Sequence, residues 1–224
     1  MKIFITGVSS GIGRATAIQL TKEHDVWGVS RKSFETKFKV SVCDVTDKQA
    51  MKKVADDMRV KDFIPDVFIL NAGVLKDDND GLDFEACQET FRVNVEGVLY
   101  WIAEFLPDCL ARDRGTFIAI SSTAAYRPNG MMSYSASKAA VAMAFRQLRL
   151  TYPQLIFQTV YFGPTETKLY QGRRSFMVTS PEKVAKYLVT LLKKGTGTHY
   201  FPFLLTLLVR VLPDKLFTYV KRFT

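Results

Sequence analysis

Near its N-terminus the chain reads KIFITGVSSGIGRATAIQL (Lys2–Leu20), and this segment predicts the fold. It reads as a short apolar strand, a turn with glycines at positions 7, 11 and 13, and a helix from Arg14 onward. A strand, a glycine turn and a helix in this order open a dinucleotide-binding unit. Gly7 permits the tight turn. Gly11 and Gly13 let the backbone approach a pyrophosphate, which the helix N–H groups can bind.

The glycine spacing is G-x-x-x-G-x-G, which differs from the commoner G-x-G-x-x-G pattern. No Gly-Lys-Ser/Thr follows the turn, so the stretch is not a P-loop.

Strand-like and helix-like segments alternate through the rest of the chain. The predicted strands are Asp25–Ser30, Lys39–Cys43, Pro65–Leu70, Thr116–Ile120, Leu155–Tyr161 and His199–Phe201. The predicted helices are Lys48–Met58, Phe84–Leu110, one that carries Tyr134, and Ser180–Lys194. This alternation predicts an α/β fold with a doubly wound parallel β-sheet flanked by helices, a Rossmann fold. We expect a single domain over residues 1–224, with 203–224 as its apolar and basic C-terminal segment.

Composition narrows the class of protein. The chain has 224 residues, 47% hydrophobic and 24% charged, which suits one folded domain. Three scattered cysteines predict a reduced, cytoplasmic protein, and the two histidines form no metal-binding pattern, so no metal site is expected. We expect no signal peptide and no membrane span. The charge of +9 is dispersed, so no nucleic-acid partner is expected.

The end of the second strand bears on cofactor choice. NAD-binding units place Asp or Glu there for the ribose 2′-hydroxyl, whereas an arginine suits a 2′-phosphate. Here the strand ends in Ser30-Arg31-Lys32, without an acid. The sequence therefore favours NADP(H) over NAD(H). The alternative is that Arg31 and Lys32 are only exposed loop charges.

Polar or small residues follow two further strands. Asp44-Val45 comes after the third strand, where Asp44 is placed to meet an adenine amino group, and Asn71-Ala72-Gly73 follows the fourth. Small residues at a strand's carboxyl end suit close approach of a flat ligand. Asn94 lies inside the predicted helix Phe84–Leu110, where asparagine is unfavourable. It either faces solvent or has a function, in which case it would bend the helix and hold a water.

Tyr134 and Lys138 stand four residues apart at the start of a small-residue run. On a helix this spacing puts both side chains on one face. A neighbouring ammonium stabilises a phenolate and lowers the pKa of the phenol. The pair therefore has the chemistry of a proton donor tuned for work near neutral pH. The alternative is a packed tyrosine beside a surface lysine.

By its motifs the chain resembles the short-chain dehydrogenase/reductase family over almost its full length. The motifs that carry the resemblance are Thr6-Gly7-x-x-x-Gly11-Ile12-Gly13, Asp44-Val45, Asn71-Ala72-Gly73, Asn94, Ser121-Ser122, Tyr134-x-x-x-Lys138 and Gly163-x-x-x-Thr167. Each is weak alone, but together and in this order they are specific.

The resemblance implies an oxidoreductase that moves a hydride between NADP(H) and a carbonyl or secondary alcohol. It implies that Tyr134 is the general acid/base, Lys138 lowers its pKa and holds the nicotinamide ribose, Ser122 bonds the substrate oxygen, and Asn94 positions a water. The residues expected to contact cofactor are Gly7, Ser9, Ser10, Gly11, Ile12, Gly13, Ser30, Arg31, Asp44, Val45, Asn71, Ala72, Gly73, Tyr134, Lys138, Gly163, Thr165 and Thr167.

Two positions depart from the family pattern. The family usually has Pro-Gly after the sixth strand, whereas this chain has Phe162-Gly163-Pro164. Ser122 precedes Tyr134 by twelve residues, one fewer than usual. This leaves Ser121 as an alternative to Ser122. Neighbouring side chains on an extended strand alternate faces, so only one of them should point into the site.

Other functions stay open. The chain could be an NAD(P)-binding regulator with little turnover, or an NAD(H)-dependent dehydrogenase for a lipid-linked or anionic substrate. An epimerase or dehydratase would need a longer substrate domain.

Lys168, Arg173 and Arg174 could recognise an anion or be exposed charges. Residues 203–224 could pack on the body or on a second subunit, which we favour. They could also lie on a membrane surface or shape a pocket for a lipid-linked substrate. The resemblance also implies a homodimer or homotetramer, formed through the helices that carry Asn94 and Tyr134.

Overall fold

A computed structural model describes residues 1–76, 83–126, 131–170 and 178–211, with the side chains at 205, 207 and 208 left out. Its strands are β1 Lys2–Thr6, β2 Asp25–Ser30, β3 Lys39–Val42, β4 Val67–Leu70, β5 Thr116–Ser122, β6 Ile156–Phe162 and β7 Gly197–Phe201. Its helices are α1 Gly11–Leu20, α2 Lys48–Val60, α3 Phe84–Phe91, α4 Gly97–Ala111, α5 Met132–Thr151, α6 Pro181–Leu191 and α7 Phe203–Val211.

The strands form one parallel sheet in the order β3-β2-β1-β4-β5-β6-β7. The predicted doubly wound parallel sheet is confirmed. Strand order reverses between β1 and β4, because β2 and β3 extend to one side and β5 to β7 to the other. In such sheets ligands bind outside the carboxyl ends of the strands at this reversal. The glycine turn after β1 and the Asn71-Ala72-Gly73 segment after β4 therefore lie at the expected crevice.

Apolar residues cover both faces of the sheet, as a buried parallel sheet requires. One cluster packs the sheet against α2, α4 and α5, and the other packs it against α1 and α6. Aromatic rings continue across three adjacent strands in the first cluster. Phe68 stacks on Phe117 with ring centroids 4.6 Å apart, and Phe117 stacks on Phe157 at 5.1 Å. These contacts fix the strands whose carboxyl ends carry the site.

Side chains cap the starts of two helices. The Asp47 carboxylate accepts hydrogen bonds from the N–H groups of Gln49 and Ala50 at the start of α2, each at 3.0 Å. Ser180 accepts from the N–H of Lys183, and Pro181 occupies the first position of α6. Both caps satisfy N–H groups that a helix leaves unpaired at its start.

The long helix predicted over Phe84–Leu110 is present, but it is not a regular α-helix throughout. The chain forms α3, then a π-helical segment over Arg92–Glu96, then α4. Asn94 lies inside this π-helical segment. Short π-helical turns inside α-helices frequently mark functional sites. The interruption therefore matches the alternative in which Asn94 distorts its helix.

The C-terminal segment is described as far as Val211. α7 packs against β7, with Thr206 and Val209 buried, while Phe203, Leu204 and Val211 are exposed. Packing on the body is therefore seen for this part of 203–224, and the basic Lys215, Lys221 and Arg222 lie outside the described residues. Of the helices in the described ranges, none has the length and apolar character needed to cross a membrane.

Gln158 on β6 gives a test of how the end of α6 is held. The side chain is fully buried, and its Nε2 donates to the carbonyl oxygens of Leu191, Lys194 and Gly195 at 3.0, 2.7 and 3.2 Å. Gln158→Met would leave these carbonyls without that donor. We expect it to lower the free energy of unfolding by about 2 kcal/mol or more, as measured by urea denaturation. Gln147→Met, at an exposed position of α5, is the matched control; an equal effect of the two changes would contradict the assigned role.

Candidate active site

The glycine turn is shaped by close backbone contacts. Gly7 and Gly11 have φ of +76° and +56°, in the left-handed region that favours glycine. A Cβ on Gly13 would lie 2.3 Å from the carbonyl oxygen of Gly7 and 2.5 Å from Nδ2 of Asn71. The turn therefore presents bare backbone, and no side chain larger than hydrogen fits at Gly13 without displacement.

A threonine and an asparagine hold this turn against the end of β4. The hydroxyl of Thr6 accepts hydrogen bonds from the N–H groups of Asn71 and Ala72 at 3.0 and 2.9 Å. Asn71 Nδ2 donates to the carbonyl oxygens of Thr6 and Gly7 at 2.9 and 3.3 Å. The Asn71 side chain thus connects the end of β4 to the backbone of the glycine turn. Thr6 was not among the predicted site residues, and its position directly before the first glycine is the signal that could have found it.

The start of α1 suits a phosphate group. Ser10 is the N-cap residue, and within the described structure its side chain makes no capping hydrogen bond. The first turn of α1 contains no acidic residue. N–H groups at a helix start attract anions, so this turn fits the pyrophosphate of a dinucleotide. Of the other predicted contacts here, Ser9 is exposed and Ile12 is half-buried.

The end of β2 is basic and open. Ser30 is buried and its hydroxyl donates to the carbonyl oxygen of Lys32 at 2.5 Å. Arg31 is exposed directly after the strand. Arg14, on α1, lies with its guanidinium 5.6 Å from the ring centre of Phe34. Exposed cationic groups therefore stand at the end of β2 and on α1.

Asp44 and Val45 follow β3 as predicted. One carboxylate oxygen of Asp44 accepts from the N–H and the hydroxyl of Thr46, at 2.9 and 2.8 Å. This fixes the half-buried carboxylate at the edge of the crevice. The carbonyl oxygen of Val45 would lie 2.7 Å from a Cβ on Gly97, so α4 begins in direct contact with this segment.

The Asn94 amide clamps three parts of the chain together. Asn94 is fully buried, its Oδ1 accepts from the N–H of Val74 at 2.8 Å, and its Nδ2 donates to the Val74 carbonyl oxygen at 3.0 Å. Nδ2 also donates to the hydroxyl of Ser137 at 3.0 Å, and Ser137 donates to the carbonyl oxygen of Tyr134 at 2.7 Å. Asn94 therefore connects the segment after β4 to the helix that carries Tyr134. Ser137 was not among the predicted site residues.

Lys138 is buried beside Tyr134. It is 5% exposed, its Nζ donates to the carbonyl oxygen of Ile120 at 2.8 Å, and Nζ lies 5.7 Å from the centre of the Tyr134 ring. A Cβ on Gly73 would lie 3.5 Å from this Nζ and 3.2 Å from Asn94 Oδ1, so the glycine leaves room beside both groups. Burial lowers the pKa of Lys138 to about 8.

The two candidate serines differ in their surroundings. Ser121 is buried, and its hydroxyl donates to the carbonyl oxygen of Lys138 at 3.1 Å. Ser122 is half-buried and accepts from the N–H of Ala124 at 3.2 Å, at the start of the 3₁₀ turn Thr123–Ala125. The Ser121 hydroxyl is thus committed to the backbone of α5, which leaves Ser122 as the better candidate for the substrate oxygen.

The segment after β6 returns to the glycine turn. The N–H of Gly163 donates to the carbonyl oxygen of Phe201 at 3.0 Å, despite the altered order Phe162-Gly163-Pro164. The hydroxyls of Thr165 and Thr167 donate to the carbonyl oxygens of Gly163 and Thr165, at 3.2 and 3.3 Å. Thr167 Cγ2 would lie 3.0 Å from a Cβ on Gly11. Of the three cationic residues considered for anion recognition, Lys168 is exposed, and Arg173 and Arg174 lie outside the described residues.

The comparisons with known proteins agree with this geometry. Residues 1–177 match the family model described as short chain dehydrogenase. Epidermal retinol dehydrogenase 2 of Homo sapiens is 34% identical over 158 residues, which cover 61% of this chain and 49% of that protein. An uncharacterized oxidoreductase of Listeria innocua is 31% identical over 191 residues, which cover 75% of this chain and 76% of that protein. Among solved structures, ElxO with NADP bound has a TM-score of 0.81 at 20% identity, covering 91% of this chain and 99% of that one.

The chain therefore belongs to the short-chain dehydrogenase family, a family of NAD(P)-dependent oxidoreductases. Several of its relatives are longer. The match covers 49% of the length of epidermal retinol dehydrogenase 2, so the chain spans about half of that protein. The crevice at the strand reversal offers bare glycine backbone, a buried lysine, and a helix start that lacks a side-chain cap within the described residues. These features fit a nicotinamide dinucleotide.

Proposed function

We propose that the protein is an oxidoreductase that transfers a hydride between NADP(H) and a carbonyl or secondary alcohol, with Tyr134 as general acid/base. The observation that carries this proposal is that Lys138 and Asn94 meet beside Gly73, with the Tyr134 ring next to the Lys138 ammonium. A buried ammonium is unfavourable unless the fold has a use for it. A protein that only binds a dinucleotide has no need of a proton donor whose pKa an adjacent ammonium lowers.

Each side chain has a separate task in the proposed reaction. In carbonyl reduction Tyr134 donates its hydroxyl proton to the substrate oxygen, and in alcohol oxidation it accepts that proton. Lys138 places positive charge near the ring of Tyr134 and so favours the phenolate over the phenol. Ser122 donates a hydrogen bond to the substrate oxygen. Bound NADP(H) supplies or accepts the hydride at the substrate carbon.

Asn94 acts in this scheme as a clamp. Its amide is engaged by Val74 and Ser137, so it holds the segment after β4 and the start of α5 at a fixed separation. The Asn94 side chain already bonds Val74 and Ser137. We infer that it positions the water expected near Lys138 indirectly, by holding these two segments in place, and not by a hydrogen bond of its own to that water.

The preference for NADP(H) rests on charge at the end of β2. Arg31 is exposed there, Arg14 is exposed on α1 beside Phe34, and the strand ends without the acid that binds a 2′-hydroxyl. A relative from Arabidopsis thaliana that is 30% identical over 137 residues is named an NADPH-dependent pterin aldehyde reductase. We extend the same cofactor preference to this chain.

Arg31→Ala is expected to weaken NADPH binding by about tenfold or more, because a charged contact to the 2′-phosphate is lost. NADH binding should change little, since NADH has no 2′-phosphate. The measurement is a side-by-side fluorescence titration of wild type and variant with both cofactors.

Arg146→Ala is the matched control, since it removes an exposed arginine from α5 without touching the end of β2. It should leave both affinities unchanged. Equal binding of NADH and NADPH by wild type, with no effect of Arg31→Ala, would remove the NADP(H) preference while leaving the catalytic proposal standing.

We further propose a homodimer or homotetramer built through α4 and α5. Leu99, Met143 and Leu150 are large apolar side chains that these helices leave exposed in the isolated chain. Burial between subunits would explain this exposure. The cytoplasmic location, predicted from the scattered cysteines, stays a prediction, as does membrane contact through 203–224.

A further inference from the structure

Three tyrosines form a stack across the carboxyl ends of β5, β6 and β7. This tyrosine cluster consists of Tyr126, Tyr161 and Tyr200. Tyr161 on β6 is in register with Ser121 on β5 and with Tyr200 on β7. Ring centroids are 4.5 Å apart for Tyr126 and Tyr161, and 5.4 Å apart for Tyr161 and Tyr200. The hydroxyls of Tyr126 and Tyr200 share a hydrogen bond of 2.9 Å.

One end of the cluster is held by α7. Arg210 Nη1 donates to the Tyr200 hydroxyl at 2.7 Å. The Arg210 guanidinium also lies 5.7 Å from the ring centres of both Tyr126 and Tyr200, within the range of a cation–π contact. The helix that carries it is anchored by buried Thr206 and Val209, and packs on β7 and on the 3₁₀ turn Thr123–Ala125.

The other end of the cluster is the turn that begins at Ser122. The hydroxyl of Ser122 accepts from the N–H of Ala124, and the N–H of Tyr126 donates to the carbonyl oxygen of Thr123 at 3.1 Å. Ser122 and Tyr126 therefore flank a single 3₁₀ turn of three residues. Ser122 and Tyr126 are therefore joined by a short turn that its own hydrogen bonds hold together.

The hydroxyls of Tyr126 and Tyr200 are protonated, and therefore neutral, at physiological pH. Burial raises the pKa of Tyr126 and of Tyr200 to about 12. The Arg210 contact is thus a hydrogen bond from a charged donor, the stronger kind. It connects α7, which lies beyond the last strand, to the turn beside the proposed catalytic centre.

We propose that Arg210 is a positioning residue that holds Ser122 in place through Tyr200 and Tyr126, a proposal that rests on the oxidoreductase function above. α7 is then part of the active-site support. Anything that displaces α7 lowers the rate of the proposed reaction without altering the glycine turn.

The first test is kinetic. Arg210→Ala should lower kcat/KM for carbonyl reduction by about tenfold or more, because small misplacement of a catalytic group is costly. NADPH affinity, measured by fluorescence titration, should be unchanged. Tyr200→Phe keeps the stacked ring but loses the acceptor for Arg210, so it should give the same loss. Arg210→Lys retains a cationic donor and should recover part of the rate. Val211→Ala, at an exposed neighbouring position, is the control and should behave as wild type.

The second test asks whether the effect passes through Ser122. In a Ser122→Ala background, Arg210→Ala should lower kcat/KM much less than it does in wild type, since residues that act through one another are not additive. A fully additive loss would overturn the proposed route.

A third measurement does not depend on activity. Hydrogen exchange at the amides of Ala124 and Tyr126 should be faster in Arg210→Ala and Tyr200→Phe than in wild type and Val211→Ala. Unchanged exchange in both variants would overturn the coupling itself. If wild type shows no turnover but the exchange result holds, the oxidoreductase proposal fails while the link between α7 and the Ser122 turn is retained.

Discussion

Tyr134→Phe is expected to lower kcat by about a thousandfold or more while leaving NADPH binding nearly intact. The change removes one hydroxyl and keeps the ring that stands 5.7 Å from Lys138 Nζ. General acid–base groups contribute about 10² to 10⁴ to a rate, and here no other hydroxyl is assigned the proton. The measurement is steady-state NADPH-dependent reduction of a panel of aldehydes and ketones, together with a fluorescence titration of NADPH.

Tyr152→Phe is the matched control, because Tyr152 follows the last residue of the same helix and removal of its hydroxyl should leave the rate at the wild-type level. Undiminished turnover in Tyr134→Phe would take Tyr134 out of the mechanism. Loss of NADPH binding together with turnover would show that the tyrosine serves the binding of cofactor rather than the transfer of a proton.

Lys138→Met should have an effect of similar size on turnover, at least about a hundredfold, because it removes the charge that favours the Tyr134 phenolate.

Lys138→Met should also alter how the free energy of unfolding depends on pH. Burial lowers the pKa of Lys138 to about 8 in the folded protein. In an unfolded chain a lysine titrates near about 10.4.

The sign of this pH effect follows from proton counting. Between about pH 8 and 10.4 the unfolded wild-type chain holds a proton on Lys138 that the folded protein has released. Stability therefore rises with pH across this window, and the penalty for burying the charge is fully present below it. The stability of wild type relative to Lys138→Met, from urea unfolding at a series of pH values, should increase from about pH 8 upward.

Lys53→Met is the control, since Lys53 is exposed on α2. The stability of wild type relative to this variant should stay flat over the same window. If Lys138→Met gives the same flat profile, Lys138 is not desolvated in the folded protein, and the argument for its functional burial fails.

The strands and the glycine turn could be predicted because their signals are local. Apolar runs of strand length, glycines at fixed spacing and polar residues at strand ends lie close together along the chain. The same holds for the caps of α2 and α6, where one side chain bonds backbone only two or three residues ahead.

The π-helical segment around Asn94 could not be predicted in the same way. The partners of its amide are Val74, twenty residues earlier, and Ser137, forty-three residues later. Their positions depend on how α3, the π-helical segment and α5 meet, which no local pattern contains. The sequence raised the possibility of a bend because asparagine is unfavourable inside a helix, but it gave no way to identify Ser137.

Sheet register explains why the tyrosine cluster was missed. Tyr126, Tyr161 and Tyr200 come from three segments, and they stack only because β6 and β7 pair with Tyr161 opposite Tyr200. Likewise, Asn71 was expected beside a flat ligand, and only the structure shows its amide under the glycine turn.

Transfer of deuterium from NADPH labelled at nicotinamide C4 shows directly whether the protein moves a hydride to a carbonyl substrate. The purified protein is incubated with the labelled cofactor and a panel of carbonyl compounds, and the alcohols are analysed by mass spectrometry. We expect an alcohol with deuterium on the former carbonyl carbon, formed by wild type and Tyr152→Phe but not by Tyr134→Phe. Binding of NADPH without labelled alcohol from any carbonyl tested, and without the reverse reaction from secondary alcohols and NADP, would contradict it and favour a dinucleotide-binding regulator.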